Sequence, residues 1–234
     1  MILLVGSRFD PAAAELASAW RHAGAVLCDA GDLTARGWRY EPHMPRQAVA
    51  VAEGRRVPAR EIEAVVTLRA TVYPIELIDV VEDDRAFVAA EIGAFLRAFL
   101  DALEAPVVNR PAEYSLAGPV LAPERWAQLA RAAGVPAVSI ERRVPGTILA
   151  PALVPRATRT VFVAGEQAEA GSDPSLARAA LAITRRCGAT MLEAAFTADG
   201  DEPRFVSATA QPSLREATRR DLLLAALAPP RVAV

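Results

Sequence analysis

Residues 82–119, EDDRAFVAAEIGAFLRAFLDALEAPVVNRPAEYSLAGP, decide the fold that this sequence predicts. Pro106 ends a long helix, and Val107 and Val108 follow as a short buried strand of the kind found in parallel sheets. The apolar side chains of the helix recur at helical spacing, so other parts of the protein must cover one broad face of it. These side chains are Val88, Ile92, Phe95, Leu96, Phe99 and Leu103.

The N-terminal residues predict the first strand–helix–strand unit of the same sheet. Met1–Gly6 reads as an apolar strand, and Val26–Ala30 as the next one. Between them a helix is predicted from Pro11 to about Ala23, with Asp10 as its N-cap. This order and spacing is typical of the right-handed crossover in a doubly wound α/β sheet.

Gly6-Ser7-Arg8 follows the first strand, in the position of a phosphate-binding loop. Backbone amides at a helix start attract anions. The segment lacks the second and third glycines of the dinucleotide fingerprint, so the sequence disfavours dinucleotide binding.

Polar residues at the predicted strand ends form the candidate ligand site. Open α/β sheets bind ligands at the carboxyl ends of their parallel strands. The candidate residues are Ser7, Arg8, Arg69, Asn109 and Arg110. Two alternatives remain open: these side chains form a buried polar network that stabilises the strand ends, or Arg69 forms a salt bridge with Glu76 or Asp79.

Composition excludes several classes of protein. The 234 residues are 53% hydrophobic and 23% charged, with a net charge of −2, which predicts a folded chain without a basic surface for nucleic acid or an anionic membrane. Cys28 and Cys187 have no disulfide or metal spacing, and Met1–Val5 lacks a charged leader, so we expect a cytoplasmic protein. His22 and His43 lack catalytic partners at ligand spacing, and no Gly-x-Ser-x-Gly turn is present.

All 26 basic residues are arginine. Without lysine the chain has no ammonium group to hold a nucleotide phosphate, form a Schiff base or act as a general base.

A change in composition predicts the domain boundary. From 141 to 159 prolines and a glycine alternate with arginines, which is typical of a linker. We therefore expect a domain at 1–140, a linker at 141–159 and a second domain at 160–234. The second domain is predicted to contain a helix from Asp173 to Cys187 and two strands joined by a turn at Ala198–Asp201.

Several segments, in a fixed order, carry a resemblance to a known family. They are ILLVGSRFDP (2–11), GWRYEP (37–42), the strand ending in Leu68-Arg69, DDRAFVAAEIGAFLRAFLDALEAPVVNRP (83–111), LAGP (116–119) and PERWAQLARAAGVP (123–136). Together they resemble the ATP-grasp ligases, specifically the glutathione-synthetase-like branch with its leading pre-ATP-grasp domain. The resemblance implies an α/β fold: an N-terminal parallel-sheet pre-ATP-grasp-like domain, then a reduced α+β remnant of the catalytic domain that lacks the lid.

The resemblance also implies where a magnesium ion would bind. In the family an acidic residue on one strand and a Glu/Asp-x-Asn on the next hold the ion that bridges the ATP phosphates. Here FVSATAQP (205–212) resembles the second strand, so Ser207 and Thr209 replace the carboxylate and the asparagine. Ala195 falls near the other acidic position, with Glu193 two residues away on the same face. A hydroxyl cannot supply a carboxylate's charge to a divalent cation.

The interval between Pro136 and Thr160 is too short to build the family's lid, whose lysines cover the nucleotide. We therefore expect a catalytically degenerate protein that acts as a binding or partner subunit, in keeping with the family's occurrence in peptide-modification and natural-product pathways. We expect no cofactor, and either a homodimer or a partner protein or peptide. The alternative is an active ATP-dependent carboxylate–amine ligase that uses ATP and Mg²⁺ with unusual metal ligands.

Overall fold

The computed structural model describes residues 1–140, 159–197 and 203–227, and they fall into two compact units. The first unit comprises Met1–Gly118 with Ser213–Arg215. In chain order it contains β1 (Ile2–Val5), α1 (Pro11–Ala19), β2 (Ala25–Cys28), α2 (Ala30–Thr34), β3 (Val49–Ala52), β4 (Arg55–Pro58), β5 (Ala64–Thr67), α3 (Arg85–Ala102) and β6 (Val107–Val108).

The main sheet of the first unit is parallel, in the order β2-β1-β5-β6. Its strands are buried on both faces, which explains why they read as continuous apolar runs. The Asp10 side chain accepts a hydrogen bond from Ala12 N at 2.9 Å and so caps α1, while β3 and β4 form a separate antiparallel hairpin. The predicted α/β class and parallel N-terminal sheet are confirmed.

Helix α3 buries its apolar stripe within the first unit. Leu96 and Phe99 are fully buried, and Phe95 packs against the same core. Trp38 meets the rings of Phe95 and Phe99 edge-on, at centroid distances of 5.6 and 5.3 Å. Intramolecular packing therefore accounts for the apolar spacing that the sequence shows, and a homodimer stays a prediction.

A buried carboxylate joins α2 to the hairpin turn. Asp32 accepts hydrogen bonds from the backbone N–H of Glu53 at 3.0 Å, of Gly54 at 2.8 Å and of Asp29 at 3.3 Å. Glu53 and Gly54 have φ of 48° and 69°, so the turn has the left-handed backbone of a tight hairpin. The buried Asp32 side chain therefore has its carboxylate satisfied by three backbone amides, and it fixes the hairpin turn to the start of α2.

The second unit comprises the residues from Pro119 onward except 213–215. It contains α4 (Pro123–Ala132), β7 (Arg159–Ala164), β8 (Gln167–Ala168), α5 (Pro174–Cys187), β9 (Met191–Phe196), β10 (Phe205–Thr209) and α6 (Ala217–Leu227). The sheet is antiparallel in the order β10-β9-β7-β8. Asp173 caps α5 and Gly188 ends it in a left-handed conformation, as predicted.

Two features of the second unit differ from the sequence expectations. The chain divides at Gly118/Pro119, before the predicted linker, because Trp126 and Ala130 of α4 belong to the same core as β7 and β9. The apolar run Val135–Ile140 predicts a strand, and this prediction is wrong: of these residues Ala137 makes an isolated bridge to Phe205. Residues 141–158 of the linker and the predicted turn at Ala198–Asp201 lie outside the described residues.

The helices of the described ranges were tested for membrane-spanning length and hydropathy, and none of them qualifies.

We expect Asp32→Ala to lower the free energy of unfolding by about 2–3 kcal/mol, because three backbone amides lose a shared charged acceptor. Urea denaturation measures the change. The matched control is Asp101→Ala on the exposed face of α3, which should stay within about 0.5 kcal/mol of wild type. Equal stability of the two variants would contradict a structural role for Asp32.

Candidate functional site

Arg69, the central member of the predicted ligand site, is fully engaged by its own chain. Its side chain is 3% exposed, and Nη2 donates to Glu76 Oε2 at 2.5 Å. Nη1 donates to Gly6 O at 3.1 Å, and Nε donates to Thr71 O at 2.7 Å. The structure therefore shows the salt-bridge alternative with Glu76, in which Arg69 ties the end of β1 to the loop that follows β5.

Arg8 and Ser7 also have partners nearby. Arg8 pairs with Asp29 at 2.9 Å, and Asp29 is the residue that caps α2. Ser7 Oγ accepts a hydrogen bond from Phe9 N at 3.1 Å. The Arg8 side chain is 49% exposed, so its ion pair is screened by solvent. Of the predicted ligand residues, Arg8 and Arg110 are exposed, Ser7 is half-buried, and Arg69 and Asn109 are buried.

Asn109 and Arg110 follow β6 and have different structural roles. Asn109 is buried with φ of 52°, a left-handed conformation that asparagine tolerates better than most residues. Arg110 donates to the backbone O of Leu100 at 2.9 Å and of Leu103 at 3.1 Å. It therefore satisfies carbonyls that the end of α3 leaves without helical partners.

The three arginines among the five candidates have separate partners within the chain. Arg69 holds a loop and Arg110 caps a helix. Arg8 pairs beside α2. Thr67, at the end of β5, was not singled out by the sequence; its Oγ1 is buried and has no hydrogen-bond partner among the described residues. The contacts of Arg69 and Arg110 favour a network that stabilises strand and helix ends.

The strand pair β9–β10 carries the predicted magnesium positions. Thr209 lies directly opposite Glu193, and Ser207 lies opposite Ala195. Directly opposed residues of an antiparallel pair share one face of the sheet. On β7 Phe162 is the neighbour of Glu193 on this face. The register thus places the two hydroxyl residues beside Glu193 and Ala195.

The carboxylate of Glu193 is bound by a guanidinium group. Arg219 of α6 donates from Nη1 to Glu193 Oε2 and from Nε to Glu169 Oε1 at 3.3 Å. Its Cζ also lies 5.3 Å from the centroid of the Phe162 ring. The Arg219 side chain is 10% exposed, so solvent screens this cluster less than a surface pair.

Electrostatics keep Arg219 charged. Burial alone lowers its pKa, but the hydrogen bonds that Arg219 donates to Glu169 and Glu193, together with the charges of these carboxylates, outweigh burial and the pKa is raised. Within the described ranges no three acidic, histidine or cysteine residues group together as metal ligands. This face therefore presents two carboxylates that are already paired with a single cation of the chain.

The cysteines provide no activated nucleophile among the described residues. Burial, followed by the nearby carboxylates of Asp32 and Asp29, raises the pKa of the Cys28 thiol. Burial also raises the pKa of Cys187. Both thiols stay protonated at neutral pH, and only the thiolate is reactive.

We expect Arg69→Leu to lower the free energy of unfolding by about 3–5 kcal/mol, since it leaves Glu76 buried without a partner. The double variant Arg69→Leu/Glu76→Leu should be more stable than Arg69→Leu, because it buries no unpaired charge. A double-mutant cycle in urea measures the coupling, with Arg8→Leu as the exposed control. Additive effects would show that Arg69 and Glu76 act independently.

We expect Arg219→Leu to destabilise the protein by on the order of 2 kcal/mol, because Glu193 and Glu169 lose a shared charged donor. Arg178→Leu on the exposed surface of α5 is the matched control and should have little effect. Adding Glu193→Gln to Arg219→Leu should recover part of the loss. A loss no larger than that of the control would argue against the ion-pair cluster.

Comparison with known proteins was made by sequence and by structure. No protein-family model matches the sequence, and no curated protein matches it. Solved structures do match. The ATP-grasp ligase PsnB, complexed with a minimal precursor, Mg and ADP, is 15% identical, with a TM-score of 0.69 over 97% of this chain and 98% of that one.

Two further structures show the same similarity. The macrocyclase MdnC from Microcystis aeruginosa MRC, bound with precursor peptide MdnA, is 12% identical, with a TM-score of 0.65 over 90% of this chain and 91% of that one. A RiPP-associated ATP-grasp ligase from Chryseobacterium gregarium, in complex with ADP and a leader and core peptide, is 10% identical, with a TM-score of 0.62 over 97% of each chain. At these identities the likeness is one of architecture, and this chain has the fold of the ATP-grasp ligases.

Proposed function

We propose that this chain is a catalytically degenerate ATP-grasp-fold protein that acts as a binding or partner subunit in a peptide-modification pathway. The observation that carries the proposal is the Arg219 guanidinium bound to Glu193 and Glu169. Glu193 is the carboxylate that could have substituted for a lost magnesium ligand on β9. Its carboxylate is already paired with Arg219, which it shares with Glu169.

The charge of Arg219 opposes metal binding at this position. Its guanidinium cancels one of the two negative charges that Glu193 and Glu169 would offer a cation; at an effective dielectric constant of about 20 a unit charge about 4 Å away is worth about 4 kcal/mol. Arginine does not lose its proton in proteins, so it cannot relieve the conflict by becoming neutral. An Mg²⁺ ion would have to displace Arg219, and the hydrogen bonds from Arg219 to Glu193 and Glu169 would be lost.

The residues of β10 that lie beside Glu193 are weak ligands for a magnesium ion. Ser207 and Thr209 supply hydroxyls where a magnesium site needs charged or carbonyl oxygens. The chain contains no lysine for the phosphates, and phosphoryl transfer depends on positioning and charge neutralisation. The short interval between Pro136 and Thr160, most of it outside the described residues, supports loss of the lid.

A peptide is the partner class that the comparisons favour. PsnB and MdnC are both seen with precursor peptides. This chain shares their fold, and retained peptide recognition does not require the nucleotide chemistry. We therefore propose that it binds a peptide or a peptide-bearing partner without turning over ATP.

The alternative is an active ATP-dependent carboxylate–amine ligase, and the observation in its favour is the PsnB structure with Mg and ADP on the same fold. In that case Glu193 would leave Arg219 when nucleotide arrives and would ligate the metal. The two functions differ in a single measurable property, the metal-dependent binding of ATP.

Isothermal titration calorimetry with ATP, with and without Mg²⁺, tests the proposal. We expect no metal-dependent heat of binding, because no described carboxylate on the β9–β10 face is available to a metal. Glu193→Gln should behave as wild type in the same titration. Metal-dependent binding that disappears with EDTA and in Glu193→Gln would overturn the proposal in favour of the ligase.

A further inference from the structure

The segment from Tyr73 to Phe87, which we call the 73–87 surface, exposes a run of large apolar side chains. They are Tyr73 at 49% exposure, Ile75 at 80%, Ile78 at 62%, Val81 at 70% and Phe87 at 70%. Single exposed apolar residues are ordinary on protein surfaces. Several in one short segment form the kind of patch that marks an interaction site.

The backbone of the 73–87 surface is anchored to the core of the first unit. Leu77 is 1% exposed and anchors the segment in the core, and Glu76 is fixed by its ion pair with Arg69. Arg85 Nε donates to Val80 O at 3.0 Å, and the last part of the segment begins α3. The apolar side chains are therefore presented by an ordered scaffold, which lowers the entropic cost of binding a partner.

Acidic side chains are interspersed with the apolar ones. Asp79, Glu82, Asp83 and Asp84 are exposed or nearly so, and none of them forms an ion pair with a described residue. The arginine of the segment, Arg85, directs its donors to backbone carbonyls. The surface thus combines apolar area with carboxylates that form no ion pair within the described part of the chain.

This charge decides between the candidate occupants. In a symmetric dimer built on this surface, each copy would bring the same carboxylates towards its partner, and like charges across an interface are unfavourable. Nucleic acid and anionic lipid are repelled for the same reason. A partner with apolar side chains flanked by arginine or lysine satisfies both properties of the surface.

We propose that the 73–87 surface is the docking site for a basic amphipathic peptide segment. Its apolar side chains would pack against Ile75, Ile78, Val81 and Phe87, and its cations would pair with the acidic residues at 79 and 82–84. The inference rests on the proposed binding function and names the chemistry of the partner. The proposed docking site consists of residues of the first unit and includes no residue of β9 or β10.

Fluorescence anisotropy tests the site. The probe is a labelled peptide with leucine at helical spacing and lysine at the other positions, and its counterpart carries glutamate in place of lysine. The full chain should bind the lysine peptide and not the glutamate peptide, with affinity that falls as salt rises. The variant Ile78→Asp/Val81→Asp should bind the lysine peptide about tenfold or more weakly, because charged side chains interrupt the apolar contact.

The matched control is Met44→Asp. Met44 is also exposed, but it lies two positions from Arg46, which pairs with Glu104 just beyond the far end of α3. An 18-residue helix is roughly 27 Å long, so this change should leave peptide binding intact. Thermal melting of each variant establishes that it is folded; the altered side chains are exposed, so stability should hold.

Three results would overturn the docking site. One is equal binding by wild type and Ile78→Asp/Val81→Asp; another is equal binding of the lysine and glutamate peptides. The third is a dimeric wild type that the same substitutions convert to monomer in analytical ultracentrifugation. The ATP titration stays separate: metal-dependent ATP binding removes the proposed function, whereas absent peptide binding with absent ATP binding removes the docking site alone.

Discussion

The structure depends on guanidinium groups whose hydrogen-bond donors are satisfied inside the chain. Arg69 joins β1 to the loop after β5, and Arg110 closes the end of α3. Arg219 holds two carboxylates on the face of the second sheet. A planar, permanently charged donor suits this role because it can serve several acceptors at fixed angles.

This use of arginine changes how the candidate ligand residues are understood. Charged residues at the carboxyl ends of parallel strands are common ligand contacts, and the sequence shows such charges at Arg69 and Arg110. In the structure Arg69 and Arg110 donate to backbone carbonyls, and Arg69 also donates to the carboxylate of Glu76. Without these two side chains those acceptors would lose their hydrogen-bond partners, which is unfavourable. Guanidiniums that stabilise strand ends have few donors left for a substrate.

The second sheet applies the same principle to function. Glu193 lies opposite Thr209 in the strand pair on which the sequence predicts the positions of the family's metal ligands. In this chain a residue of α6 supplies the positive charge instead. A cation that belongs to the fold contributes stability at all times, whereas a metal arrives with its nucleotide. The proposed loss of catalysis and the retention of the fold are thus consistent with each other.

Local patterns in the sequence determined the α/β class, the parallel N-terminal sheet, the N-cap of α1 and the span of α5, because helix periodicity and capping act between residues close in the chain. Tertiary structure decided which unit α4 joins, since its Trp126 could have packed on either core. It also decided the partners of Glu193, Glu169 and Arg219, which are far apart in sequence and meet only when β8, β9 and α6 converge. The ordered exposure of the 73–87 surface likewise follows from the burial of Leu77, because an apolar residue in the sequence does not reveal which of its neighbours will face water.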